Sequence, residues 1–404
     1  MRILSGTALF LLAWGAVVID PARLGAAEWS VVPDIKARAE YDSNLNFSLR
    51  QRVSDYILSL APSASFSYAT ESGQLQGVVG VLGQHYLSHG NLDHIDQFVQ
   101  ISGNCQVAPR LKFTLAGAYI SDSTLLEELT ASGFIIGRTV RQSVQVGPGL
   151  VYHLTERLLL NLGYRFYEVH YRTPLFFDYS TQRVSLGLTY LLNNEKSVLR
   201  GLVLGRFTSY NQLDNDYQSL GAYLGMEQKF TENWDASLLA GVNVTRVSLS
   251  TRVLDAGNFP FFNLLKQVRQ TETATSPYVE FSSTRRWARA DLTGGYLLDI
   301  APSGSGSLYD YSRAFLSFGY NISERLSGKL NGNLYYNGAL FQGTRGRTLV
   351  LTVAPELNYK LKEDATLSSG YYYGWRNSYT VDLSTPRNMV WISLNYHYPM
   401  YFQR

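Results

Sequence analysis

The sequence predicts an all-β chain, a transmembrane antiparallel meander β-barrel of about 18 strands, with about 16 as the alternative. Three observations lead there. Apolar and polar residues alternate along run after run of roughly ten residues or more, the length that crosses a bilayer at the usual tilt. The connections between runs alternate short and long. Aromatic residues cluster at both ends of the runs with aliphatic residues between them, as at the two interfaces of a membrane.

Residues 1–27 read as a secretory signal peptide. Arg2 supplies the positive start, Ile3 to Ile19 the apolar stretch, and Gly25-Ala26-Ala27 the small residues for cleavage before Glu28. Asp20, Pro21 and Arg23 end the apolar stretch too early for a spanning helix. Residues 28–404 then form a single barrel domain, because no Pro/Ser-rich linker or break in composition divides them. Tyr is abundant at 29 residues and charged residues make up only 17%, which favours strands over exposed helices. The formal charge of +3 is too small to argue for nucleic acid. Cys105 is the lone cysteine, so there is no internal disulfide and no CxxC motif.

Taken in order, Pro33, Ile35, Ala37, Ala39 and Tyr41 alternate with Asp34, Lys36, Arg38 and Glu40 in the first strand. After a polar loop, Tyr56, Leu58, Leu60, Pro62, Ala64, Phe66 and Tyr68 form one face of the second. Further strands are expected near 74–87, 96–107, 110–121, 142–154, 157–167, 181–192, 197–209, 217–230, 234–247, 273–283, 287–299, 311–322, 326–337, 348–361, 365–376 and 387–399. After even-numbered strands the links are tight (TESG, APR, TER, NNEK, TEN, STRR, SER, KED). After odd-numbered strands they are long, including Asp122 to Arg141, Glu168 to Ser180 and Leu249 to Glu272. This sorting places both termini on the short-turn side, which is periplasmic in an outer-membrane barrel. The pattern is clearest from Thr348 to Trp375, where Leu349, Leu351 and Val353 face lipid and Thr352, Glu356, Lys360 and Tyr372 face the lumen. An Arg at Thr352 should then be nearly silent for folding. Pro62, Pro148, Pro277 and Pro355 recur within strands, and each is expected to mark a bulge or bend.

No GxSxG, HExxH or Gly-rich phosphate loop is present, and no catalytic residues, metal ligands or cofactor are assigned. His85, His89 and His94 crowd with Asp93 and Asp96, but their spacing fits no tight metal template. Strand parity instead yields a wet inner wall. Its pore-lining candidates are Lys36, Arg38, Glu40, Lys112, Arg165, Tyr167, Arg206, Tyr223, Glu227, Lys229, Asp235, Arg289, Asp291, Arg313, Lys329, Tyr335, Glu356, Lys360, Tyr372 and Trp391. The mild positive excess favours anionic or neutral hydrophilic cargo, and the inward aromatics would suit sugar rings. Apolar runs in two long loops, around Phe134 and Ile135 and around Phe259, Phe261 and Phe262, are constriction candidates because such residues avoid water.

Ala39-Glu40-Tyr41-Asp42-Ser43-Asn44, then Ser54-Asp55 and Leu60-Ala61-Pro62, resemble the opening of outer-membrane β-barrel porins encoded with exopolysaccharide and exosortase systems. The resemblance implies a role in moving or securing secreted polysaccharide at the outer membrane, with periplasmic export proteins as partners. It brings no catalytic residues. The expected function is therefore a conduit for exopolysaccharide or another hydrophilic polymer in the outer membrane of a Gram-negative-type bacterium. The alternatives are a small-solute diffusion porin, a structural anchor for surface polysaccharide, and a rim-site hydrolase.

Overall fold

The computed structural model describes residues 28–123, 139–193, 196–213, 215–254, 265–340, 347–379, 382–398 and 400–403. The signal-peptide expectation and the constriction candidates Phe134, Ile135, Phe259, Phe261 and Phe262 lie outside the described residues.

The strands run β1 (Glu28–Asp42), β2 (Asp55–Thr70), β3 (Gly73–Tyr86), β4 (His94–Ala108), β5 (Leu111–Ser123) and β6 (Val140–His153). There follow β7 (Leu158–Tyr171), β8 (Tyr179–Leu191), β9 (Ser197–Tyr210), β10 (Asn215–Thr231), β11 (Trp234–Leu254) and β12 (Leu265–Arg286). The wall is completed by β13 (Ala290–Pro302), β14 (Leu308–Asn321), β15 (Leu326–Ala339), β16 (Thr348–Lys360), β17 (Ala365–Ser378) and β18 (Leu383–His397). Each pairs antiparallel with the next, and β1 closes on β18 from Asp34↔His397 to Asp42↔Met389. A short last segment, β19 (Met400–Gln403), resumes the β18 ladder against Glu28–Val31. The break between them falls where Pro33 has no N–H to give, and the Tyr398 amide instead donates to the Pro33 carbonyl at 3.0 Å. The result is a closed meander of 18 wall strands, an even number with no free ends to the sheet.

The outer surface explains why this sequence closes into a barrel. Leu58, Leu60, Leu186, Leu188, Leu220, Leu224, Val242, Val244, Leu316, Ile392 and Leu394 all stand exposed. A row of exposed aromatics borders the belt on each side. Tyr152, Tyr190, Phe230, Phe281, Tyr320 and Tyr359 lie toward the short turns, and Tyr41, Tyr56, Phe207, Tyr296 and Tyr336 toward the other end. An apolar belt this large is stable only against lipid. Leu224 is the most exposed strand residue of the belt at 76% and sits mid-strand in β10. Leu224→Arg is expected to cost about 2–4 kcal/mol in urea unfolding from bilayers. Gln76→Arg, which turns into the lumen, should change the midpoint little.

Two expectations change. The strands of β11 and β12 are 21 and 22 residues long and stay paired out to Leu254↔Leu265, so most of the expected loop from Leu249 to Glu272 is a projecting hairpin. Of the bulge or bend expected at the in-strand prolines, the register rules out the bulge at Pro62, Pro148 and Pro355. At Pro62, Pro148 and Pro355 the ladder to the following strand skips two pairs and resumes in the same register. On the preceding strand's side each proline stays paired, with Ile35, Leu115 and Leu330. The missing N–H therefore always faces the following strand, and the sheet loosens there without slipping. At Pro277 the ladder to β13 does not resume at all.

Candidate functional site

The lumen is not uniformly wet. Toward the short turns its wall carries Gln74, Gln76 and Ser67, which remain exposed. Toward the other end it is filled by two inward folds.

The first is the β1–β2 connection, residues 43–54. Asp42 ends β1 buried and accepts from Arg387 of β18 at 2.6 Å (Nη2), with Nε at 3.1 and 3.2 Å from its two oxygens. Its Oδ1 also accepts the Asn44 amide at 2.9 Å. Ser43 exchanges two bonds with Asn388, and the Asn44 side-chain Nδ2 donates to Thr385 Oγ1 at 3.2 Å and to the Ser48 carbonyl at 3.1 Å. The short polar side chains of this stretch thus turn the chain inward at the point where the barrel closes. Phe47 at the tip is 1% exposed and packs on Tyr311, Tyr335 and Val350, beyond β17 and β18. Its φ of 47° lies in the left-handed region, which costs a residue with a Cβ roughly 1–2 kcal/mol. Packing and the Arg376 guanidinium donating to its carbonyl (3.3 Å) hold it there.

The second fold is the upper end of β13 with residues 303–307. Arg206 of β9 donates to Asp299 (2.9 Å) and to the Ile300 carbonyl. The Tyr210 hydroxyl donates to the carbonyls of Ser303 (2.9 Å) and Ser307 (3.1 Å). Ile300 and Leu308 join Val169, Tyr171, Phe176, Tyr179, Tyr210, Tyr217 and Val247 in an apolar cluster inside the barrel.

Between these folds runs a row of arginines. Arg165, Arg183 and Arg206 are direct cross-strand partners on β7, β8 and β9. They line one cavity of about 510 Å³ together with Arg141, Arg313, Asp299 and Glu280. Arg206 pairs with Asp299, which also lies 3.8 Å from Arg183. Like charges directly opposite one another destabilise a sheet, so folding alone does not account for this row.

The other charged pore-lining candidates are spread along the wall. Lys36 and Arg38 lie over the Trp391 ring at 5.8 and 4.5 Å, with Glu40 paired to Arg38. Trp391 lies flat because Gly370 faces it, where a Cβ would come 2.6 Å from the ring. Lys112 lines a lumenal cavity with Arg165, and Tyr167 lines the arginine cavity. Toward the short turns Glu227 pairs with Arg200 and Asp235 with Arg286, while Lys229 is the cross-strand partner of Asp235 and Lys329 of Glu356. Asp291 sits against Gly319, and Lys360 closes β16. Arg289 is not on a strand; it precedes β13 in the short turn.

Aromatics behave differently from the expectation. Tyr335 is buried beneath Phe47, Tyr223 donates to Asn243, and Tyr372 is covered beside Arg387. Tyr223 and Tyr335, both buried, offer no ring face to a passing sugar, whereas Tyr167 lines the arginine cavity. Thr352 is likewise 5% exposed under the inward fold, so an Arg there would be buried rather than silent. Arg141, Arg183 and Arg387 were missing from the sequence-based lining. Strand parity marks Arg183 and Arg387, since exposed Val184 and Leu186 place Arg183 inward and Trp391 places Arg387 on its own face.

The rim histidines do not converge. His85 bonds Asp93 (2.7 Å), His89 bonds Asp55 (2.9 Å), and His94 bonds the Leu92 carbonyl (2.8 Å). Among the described residues no three His, Cys, Asp or Glu side chains group as metal ligands. These carboxylates tie down the connection after β3, and Asp55 lies at the rim, beyond Tyr56 of the aromatic row. Burial pushes the Asp55 carboxyl up, but the His89 ring and the amides of Ser88 and Tyr56 outweigh it and hold it below the usual value. The Tyr86 amide and the His85 ring hold Asp93 low as well. A depressed carboxyl stabilises the fold above its unfolded value and loses that contribution as pH falls through its folded value. Hydrogen exchange at Ser88 and His89, corrected for intrinsic chemistry, should stay slow from neutral pH down through the ordinary carboxylate range. It should quicken only below that range.

Comparison with known proteins gives fold-level likeness only. No family model matches the chain, and no curated protein matches it. Among solved structures, Acinetobacter baumannii OccAB3 aligns at 11% identity over 92% of this chain and 99% of its own, with a TM-score of 0.46. Pseudomonas aeruginosa OccK2 (OpdF) aligns at 13% identity over 93% and 98%, TM-score 0.46, and OccK9 (OpdG) at 12% over 92% and 98%, TM-score 0.47. The closed 18-strand meander with its lipid-facing belt is itself the architecture of an integral protein of the Gram-negative outer membrane.

Proposed function

We propose that the protein is an outer-membrane channel for small hydrophilic solutes with a preference for anions, its short turns on the periplasmic side. The observation that carries this reading is the arginine row Arg165–Arg183–Arg206, in register on adjacent strands and turned into the lumen. Charge lining a narrow passage sets ion preference. The small-solute reading stands ahead of the polymer conduit for a steric reason. The hook bearing Phe47 and the upper end of β13 both occupy lumen that a polysaccharide would need.

The test is the zero-current potential of the reconstituted protein across a tenfold KCl gradient. A sign reporting chloride preference is expected. A potassium preference would overturn the proposal, as would a bilayer that stays silent with correctly folded protein.

A further inference from the structure

We infer that the parted seam between β12 and β13 is a lateral port, through which a single-chain amphipathic anion reaches the bilayer while its head group lies on the arginine row. The inference rests on the anion reading above for the head group, and on the sheet itself for the port.

The β12–β13 ladder stops at Val279↔Leu298, about halfway up the wall. Beyond it β12 continues, paired only with β11, and β13 continues, paired only with β14. The divergence is built in. Pro277 removes the N–H that would resume the ladder, and Arg206 and Tyr210 hold the end of β13 inside. The opening lies at the level of acyl chains, because Pro277 and Thr275 are register partners of Val242 and Val244, both exposed on the outer belt.

An unpaired strand edge facing lipid is costly, since its amides and carbonyls have no water to bond. Among the described residues no strand pairs with β12 from Thr271 to Tyr278 on that side. The Ser276 hydroxyl there is buried and makes no hydrogen bond. Tyr278 and Glu280 from one lip, and Leu297, Asp299 and Ile300 from the other, line the same cavity as Arg165, Arg183 and Arg206. One cavity thus offers cationic donors on one side and a gap toward hydrocarbon on the other. That combination fits a charged head with one apolar tail better than either a compact anion or a neutral lipid.

The test uses dodecyl phosphate with a diazirine at the chain end, irradiated with the full protein in phosphatidylcholine bilayers and mapped by mass spectrometry. Adducts should concentrate on Thr275, Pro277 and Leu298, at least several-fold above the rest of the belt. An uncharged dodecyl maltoside carrying the same diazirine should not show that focus. In Arg165→Gln/Arg183→Gln the focus should be lost, while the 2.9 Å pair of Arg206 with Asp299 that fastens β13 is left in place. Excess inorganic phosphate should diminish it in the unaltered protein, an arm that needs no variant to fold. Labelling spread evenly around the belt, or a focus indifferent to charge, would overturn the port. The potassium gradient measurement reads the anion preference separately, so the two can fail independently.

Discussion

Asp42→Ala is expected to raise single-channel conductance and to destabilise the barrel by about 3–5 kcal/mol, the range for removing one partner of a buried ion pair. Asp42 and Arg387 are both nearly inaccessible, and three of their bonds fall between 2.6 and 3.2 Å. Truncation leaves the guanidinium buried beside Tyr372 without its hydrogen-bonded carboxylate, and it removes the acceptor that turns the Asn44 backbone amide inward. The hook then loses its root, Phe47 leaves its seat on Tyr335 and Val350, and the passage widens. Two controls separate hook from wall. Phe47→Ala should raise conductance with Asp42 intact. Asp42→Ala/Arg387→Ala should recover part of the stability, since neither charge is stranded, while keeping the wide pore. Conductance unchanged in both single variants would show that the hook does not limit flow.

Arg165→Glu/Arg183→Glu should reverse the ion preference, moving the zero-current potential across zero in the gradient that reports chloride preference for the unaltered protein. These two residues are direct cross-strand neighbours, and Arg206 continues the row. Like charges directly opposite one another on adjacent strands repel, which is what makes the row attractive to an anion. Replacing two of the three with carboxylates leaves Arg206 and Asp299 paired, so the fastening of β13 is spared. Some loss of stability should accompany the reversal, because Arg183→Glu exchanges the 3.8 Å approach of Arg183 to Asp299 for a carboxylate beside a carboxylate. A preference that stays anionic would place the selective charge elsewhere in the lumen.

The resemblance motif has a local physical account. Tyr41 joins the aromatic row away from the short turns, Asp42 takes Arg387, Ser43 pairs with Asn388, and Asn44 caps the inward turn. Asp55 opens β2 by accepting the amides of Tyr56, Ser88 and His89. These residues were legible as a motif and not as a hook, because their partners lie far away in the chain. Asp42 and Arg387 are 345 positions apart. The rim histidines were legible as a cluster, but only the fold assigned each its own carboxylate or carbonyl.

What the sequence determined by itself was the barrel. Period-two alternation is a local property, so it reveals strand count, the face that meets lipid and the face that does not, and the positions of the aromatic rows. Even Arg183 and Arg387 were within its reach, through the exposed Val184 and Leu186 on one strand and Trp391 on the other. Tertiary structure alone decided what the inner face meets. Alternation separates inside from outside but cannot tell water from protein, and the fill of this lumen is made by contacts among strands remote in sequence. Phe47 covers Tyr335, the end of β13 leaves β12 for Arg206, and three arginines come level only through the register of β7, β8 and β9.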